Sequence, residues 1–211
     1  MSLPDPTPIV FVVDDDVSVR ESLELLIRYE GWRAEIFASA TEFLSRPREF
    51  VPSCLILDLS LPGFSGLDLQ QRIAGERTDM PIIFITGHGD VPSTVQAMKA
   101  GAVEFLTKPF TDNALLIAVR QALEWSRFAL DHDADLQKLR DCYETLSVRE
   151  RQVMALVVSG LLGKQVGSEL GISHVTVKAH RGRVMEKMKA NSFAELVEMS
   201  ARLRVTRTRN A

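Results

Sequence analysis

The sequence predicts two small domains, a doubly wound α/β unit on a five-stranded parallel sheet and an all-α unit, joined by a long helical linker. Three observations predict it. Five strand-like runs alternate with stretches of helical periodicity between residues 9 and 107. Most of those runs stop abruptly on a polar residue, the pattern of sheet edges that carry chemistry. Charge is also divided, with 13 Lys and Arg against 22 Asp and Glu in residues 1–141 but 12 against 6 in residues 142–211. An acidic part and a basic part call for different partners, and the basic one suits a polyanion.

The first strand, Ile9–Val13, runs into Asp14-Asp15-Asp16. Val19, Leu23, Leu26 and Ile27 then recur at helical spacing until Gly31 stops the pattern. Arg33–Phe37 reads as a second strand, and Ser39 can cap a short helix ending at Leu44. The run Leu55, Ile56, Leu57 ends on Asp58, because Leu61-Pro62-Gly63 cannot continue a strand. Residues 65–74 are helical in pattern. Residues 81–86 are almost wholly apolar, as a central parallel strand covered on both faces must be. The helix predicted at 92–100 has proline near its start and Gly101 after its end. Residues 103–107 form the fifth strand, which terminates in Lys108-Pro109. From Asp112, Leu116, Val119 and Leu123 give an apolar helical face. The composition stays helical, without glycine or proline, through Trp125, Phe128, Leu130, Leu136 and Leu139. One long helix follows, with Asp131-His132-Asp133 as the place for a break and Trp125 and Phe128 as packing residues. The boundaries drawn are 1–125, a linker at 126–143, and 144–211.

In the basic part, Ser147 and Glu150 make a capping box ahead of Val153, Leu156 and Val157, and Gly160 ends that helix. A short helix over 164–170 stops at Gly171, and Ser173 caps a third running to about Lys189. Two helices across a tight glycine turn are a helix-turn-helix. Val177, Val184 and Met188 share the inward face of the third helix, while Val175, Ala179 and Gly182, flanked by Lys178 and Arg183, lie opposite. Small apolar groups with cationic flanks fit a major groove, where alkyl groups meet thymine methyls and cations meet phosphate or guanine.

Four strand ends therefore carry Asp14 to Asp16, Asp58, Thr86 and Lys108. An acid cluster repels itself unless a hard cation sits in it, and magnesium with phosphate oxygens is the natural occupant. The ammonium and hydroxyl balance the remaining phosphoryl oxygens, so that an aspartate oxygen can attack phosphorus in line and form an aspartyl phosphate. Cys54 and Cys142 are the two cysteines, which excludes a disulfide framework and a zinc-thiolate site. Residues 1–8 show no signal-peptide pattern and no apolar run reaches about 18 residues, so a cytoplasmic protein without membrane contact is expected.

Through VVDDD, LILDLSLPG, FITGHGD and FLTKPF, in that order, the first part resembles a response-regulator receiver domain. The resemblance implies a flavodoxin- and CheY-like 2-1-3-4-5 sheet, an order the family itself exemplifies. It implies phosphorylation of Asp58 by a sensor histidine kinase, with Mg2+ (Mn2+ or Ca2+ as substitutes) held directly by Asp15 and Asp58, by the Ser60 backbone carbonyl, and by Asp14 through water. Lys108, before a cis peptide bond to Pro109, is implied to bind the phosphoryl group, and Thr86 and Phe105 to form the switch pair. The family often has tyrosine at the Phe105 position. His88 reads as a solvated loop histidine, although the resemblance puts it at a position that modulates phosphoryl lifetime. Through LSVRERQVMALVVSG, ELGIS and TVKAH, the last part resembles the LuxR-type DNA-binding domain of NarL- and FixJ-like regulators. That resemblance implies four helices, with the third in the major groove of promoter DNA. Lys178, Ala179 and Gly182 match base-facing positions, and Lys164, Thr176 and His180 match phosphate contacts, with Arg183 beside them. The fourth helix, carrying Phe193, Leu196 and Val197, is implied to pair two copies upon phosphorylation. Leu162-Gly163 departs from the family's polar cap, and Gly182 offers no side chain for readout. The Arg202, Arg204, Arg207 and Arg209 tail offers either nonspecific attraction to DNA or a frayed solvated end.

The expected activity is that of a transcription regulator, not an enzyme, beyond taking up and losing its own phosphoryl group. A phosphohydrolase is the rival, but such enzymes need an acid two residues after the nucleophile, where Ser60 stands. A regulator that binds DNA without phosphorylation is the third reading.

Overall fold

The computed structural model describes residues 7–87 and 91–205. The chain divides into two compact units, Met1–Asp131 and His132–Ala211.

In the first unit, β1 (Ile9–Val13), β2 (Arg33–Phe37), β3 (Ser53–Asp58), β4 (Ile82–Thr86) and β5 (Glu104–Thr107) form one sheet in the order β2-β1-β3-β4-β5. Every pairing is parallel. Each residue of β1, β3 and β4 is buried, because helices cover both faces. Alternation along β1 shows the two layers. Ile9, Phe11 and Val13 join Phe43, Leu57 and Phe84 beneath α2 (Ala40–Leu44), α3 (Gly66–Ile73) and α4 (Val91–Lys99). Val10 and Val12 join Ile27, Ile56, Ile85, Leu115 and Val119 beneath α1 (Val17–Tyr29) and α5 (Asp112–Glu144).

The helix α5 is unbroken through Asp131-His132-Asp133, and the division between the units falls inside it. Those residues lower helix propensity by only a few tenths of a kcal/mol each, too little to end a helix without glycine or proline. Its buried face carries Val119 and Leu123 as expected and takes in further residues beside them. Leu115, Ala118, Val119, Ala122 and Leu123 are buried, whereas Leu116 is half-buried. Buried Ser126 accepts the Ser53 backbone N–H at 2.9 Å and so satisfies the start of β3. Trp125 and Phe128 are 48% and 71% exposed, and Trp125 lines a cavity with Ile73, Pro81 and Ile82.

The second unit contains α6 (Val148–Val158), α7 (Gly163–Leu170), α8 (His174–Lys187) and α9 (Phe193–Arg202) around two apolar clusters. The expected capping box is present, with the Ser147 hydroxyl accepting from the Glu150 amide and Glu150 accepting from the Ser147 amide at 2.8 Å. Glu150 also takes a 2.7 Å bond from Lys187 at the end of α8. These bonds hold its carboxyl at about 2, below the usual 4.5, the Lys187 ammonium being the larger cause. As the sequence indicates, α7 lacks a side-chain cap at Leu162, although Gln165 accepts the Leu162 N–H at 2.8 Å. Gly171 ends α7 at φ 65, in the left-handed region that glycine tolerates best. A Cβ on Gly167 would lie 2.7 Å from the Ile172 carbonyl oxygen, so the tight turn into α8 depends on that glycine as well.

Candidate functional site

The pairing of Val13 with Leu57 and of Thr86 with Thr107 brings the carboxyl ends of β1, β3, β4 and β5 to one edge. Asp14 follows β1, Asp58 ends β3, Thr86 ends β4 and Lys108 follows β5. The Lys108 ammonium donates to Asp14 Oδ2 at 2.6 Å and to Asp58 Oδ2 at 2.7 Å. The second oxygen of each carboxylate is held by backbone, Asp14 Oδ1 by the Asp16 amide at 2.9 Å and Asp58 Oδ1 by the Ser60 amide at 2.8 Å. The structure thus brings together Asp14, Asp15, Asp58, Ser60, Thr86 and Lys108. Ser60 reaches the cluster through its N–H.

Asp14 and Thr86 are wholly buried and Asp58 nearly so, while Asp15 is exposed. Burial pushes the Asp14 carboxyl above its ordinary range even though Lys108 opposes it. Burial alone depresses Lys108, but its bonds to Asp14 and Asp58 outweigh that and raise it. One oxygen from each of Asp14, Asp15 and Asp58 lies within 4.8 Å of the others. Three carboxylates so close, one of them raised by burial, form an all-oxygen donor set that fits a hard divalent cation. Asp16 contributes differently from its neighbours, as the N-cap of α1, accepting from Ser18 N at 2.8 Å.

On the backbone, the Lys108 amide donates to the Thr86 carbonyl at 2.7 Å, and the Lys108–Pro109 bond is cis. Phe105 is half-buried, its ring 6.4 Å from Phe84. His88 lies outside the described residues.

Two supports of this edge were missed in the sequence. Arg20 donates to the Asp14 carbonyl at 2.6 Å, one α1 turn beyond the capping aspartate. A Cβ on Gly66 would lie 2.6 Å from the Asp58 carbonyl oxygen and 3.1 Å from Leu59 Cα, so α3 approaches the end of β3 only through a glycine. The glycine two residues after Phe64 was the available signal, since glycine at a helix's first turn needs a packing reason.

In the second unit, Val177, Val184 and Met188 are buried, and α8 exposes Val175, Thr176, Lys178, Ala179, Gly182 and Arg183. Lys164 is also exposed. His180 is half-buried, and its Nδ1 is enclosed without a partner among the described residues. Arg181 is directed elsewhere, its guanidinium 4.7 Å from the Phe193 ring centre, a contact between α8 and α9 that sequence reasoning did not find. Of the three α9 residues, Phe193 and Val197 are each 37% exposed. Leu196 is a correction: it is wholly buried with Met154, Val184 and Met188 in its own unit's core and is not available to a second copy. Arg202 and Arg204 are described, whereas Arg207 and Arg209 lie outside the described residues. Among the described residues no helix is long and apolar enough to cross a membrane.

Comparison with known proteins agrees with both units. Residues 10–120 match the response regulator receiver domain, and residues 144–200 match the bacterial regulatory proteins of the luxR family. Nodulation protein W of Bradyrhizobium diazoefficiens is 51% identical over 198 residues, covering 94% of this chain and 87% of that protein. Response regulator protein TmoT of Ectopseudomonas mendocina is 44% identical over 200 residues, covering 95% and 91%. The solved structure of the response regulator StyR superimposes with a TM-score of 0.81 at 45% identity, covering 92% of this chain and 98% of that one. With a receiver sheet, a LuxR-type helix-turn-helix and relatives matched over nearly their whole length, the chain belongs to the two-component response regulators that carry a LuxR-type DNA-binding domain.

Proposed function

We propose that this regulator takes a phosphoryl group on Asp58 from the phosphohistidine of a sensor kinase, and that the phosphorylated form pairs and binds promoter DNA. The observation that carries the proposal is the single ammonium of Lys108 shared by Asp14 and Asp58, with Asp15 beside them. A carboxylate oxygen of Asp58 bonds to phosphorus, the phosphorus–nitrogen bond breaks, and the imidazole leaves with a proton. Lys108 then follows the charge onto the phosphoryl oxygens, and Thr86 donates its hydroxyl there.

Asp14, Asp15 and Asp58, with the Ser60 carbonyl, would hold Mg2+, or Mn2+ or Ca2+ in its place. The cation's chemistry is to neutralise charge between carboxylates and phosphoryl oxygens. Phe105 carries no hydroxyl, so its inward turn is a matter of packing against Phe84 alone. Residues 126–143 link the domains. On α8, Lys178 and Arg183 meet bases or phosphates, Ala179 and Gly182 face the groove floor, and Lys164, Thr176 and His180 stand near phosphates. Phe193 and Val197 offer α9's apolar contact to a second copy. A protein working on promoter DNA under such a kinase acts in the cytoplasm.

Phosphoryl uptake from a small acyl phosphate, followed by intact mass, tests the site. The wild-type protein should gain one phosphoryl group in Mg2+ and Asp58→Asn none. Uptake by Asp58→Asn would overturn the assignment.

A further inference from the structure

Val175 is 76% exposed, among the highest values for a large apolar side chain in the described residues. Its neighbours are all engaged. The Ser173 hydroxyl accepts the Thr176 amide at 3.1 Å and lies 2.9 Å from the Thr176 hydroxyl. Val177 is 1% exposed in the core with Val153 and Val166. The His174 ring lies over Gly163, where an added Cβ would meet it at 2.9 Å. The first turn of α8 is therefore fixed, and it presents one bare alkyl group to solvent. Ala179, a turn further along the same face, is exposed, and Gly182, two turns along, has open space around it.

The amino-terminal residues of a helix-turn-helix's second helix meet base edges. In the major groove, the feature that rewards an alkyl contact is the thymine methyl group. We infer that Val175 is a specificity-determining residue that reads a thymine methyl in the operator, an inference that rests on the DNA-binding reading above. Lys178 flanks this contact and supplies charge. Thr176, tied to Ser173, holds the turn at its set depth.

The test uses the full chain, treated with a small acyl phosphate, to select duplexes from a random pool. The selected duplex is then remade with deoxyuridine replacing each thymine in turn, which removes one methyl. One position should weaken wild-type binding about fourfold, the equivalent of ~0.8 kcal/mol per methyl group at ~1.4 kcal/mol per tenfold. At that position Val175→Ala should respond less than about twofold, while Val175→Thr, which keeps a methyl, retains most of the response. Methyl-insensitive binding, or unchanged sensitivity in Val175→Ala, overturns the inference and leaves the DNA-binding reading standing. Failure to enrich any duplex overturns that reading itself, and the two failures are thereby separate.

Discussion

Lys108 stands between two carboxylates that would otherwise repel each other at the bottom of a closed edge. Two like charges brought together in a poorly solvated site raise each other's energy, and an ammonium or a divalent cation offsets it. The two cations therefore compete for the same oxygens. Lys108→Met should lower the melting temperature of the receiver unit in EDTA by the equivalent of ~1–3 kcal/mol, the penalty of leaving buried charge unpaired. Added Mg2+ should then raise that temperature more in the variant than in the wild type. Thermal melts with and without Mg2+ check this, and equal shifts in both proteins would contradict it. Gly66 gives a second prediction, since alanine gains up to ~1 kcal/mol of helix propensity but must push backbone atoms of Asp58 and Leu59 aside. Gly66→Ala should cost a net ~1–3 kcal/mol. Gly75→Ala, with nothing within 4 Å of the added carbon, is the control and should change stability little in a urea titration. Asp14, Asp58 and Lys108 were legible in the sequence because a strand that stops on a polar residue announces an edge. Arg20 was not, because its partner is a backbone carbonyl that no side-chain pattern encodes, and Gly66 gave only the weak signal of a glycine at a helix's first turn.

The elements of the second unit depend on Glu150 at three points. It closes the capping box on α6, receives Lys187 from α8, and sits nearly buried between them, while Lys187 also donates to the Thr145 carbonyl at 3.1 Å. Glu150→Ala should destabilise this unit by ~1–2 kcal/mol, from a lost cap and an unpaired ammonium. The pH dependence has a definite sign. A carboxyl whose folded value is depressed to about 2 contributes stability above the unfolded value near 4.5 and loses it as pH falls between them. Helical melts from pH 6 down to pH 2 should show wild-type stability declining through that window and Glu150→Ala declining less. Sequence reasoning found this capping box because its spacing is local, and found β1, β3 and β4 because fully buried runs between polar stops are distinctive, whereas the edge strands β2 and β5 are only partly buried. On α5 it found Val119 and Leu123 but took Leu116 for Leu115, because the two are adjacent and one residue decides which enters the core. It also put Leu196 at a surface, because an apolar residue in an amphipathic helix serves a core and an interface equally well until its neighbours Met154 and Met188 are known.

At the scale of the molecule, an acidic receiver unit is followed by a basic LuxR-type unit, and on the proposed reading the two are useful together only if phosphorylation of the first alters the second. Phosphorylation can change DNA affinity by no more than its differential stabilisation of the binding-competent arrangement. Phosphate contacts of the kind proposed for Lys164 and Lys178 would also make the affinity steeply dependent on salt, so comparisons hold only at one fixed concentration. The deciding measurement is the affinity of the full chain for its selected duplex, with and without a small acyl phosphate, for the wild type and Asp58→Asn at the same salt. The account predicts that the donor tightens wild-type binding about tenfold or more, a coupling of at least ~1.4 kcal/mol, and leaves Asp58→Asn unchanged. Equal wild-type affinities in the two conditions, or the same tightening in Asp58→Asn, would contradict it.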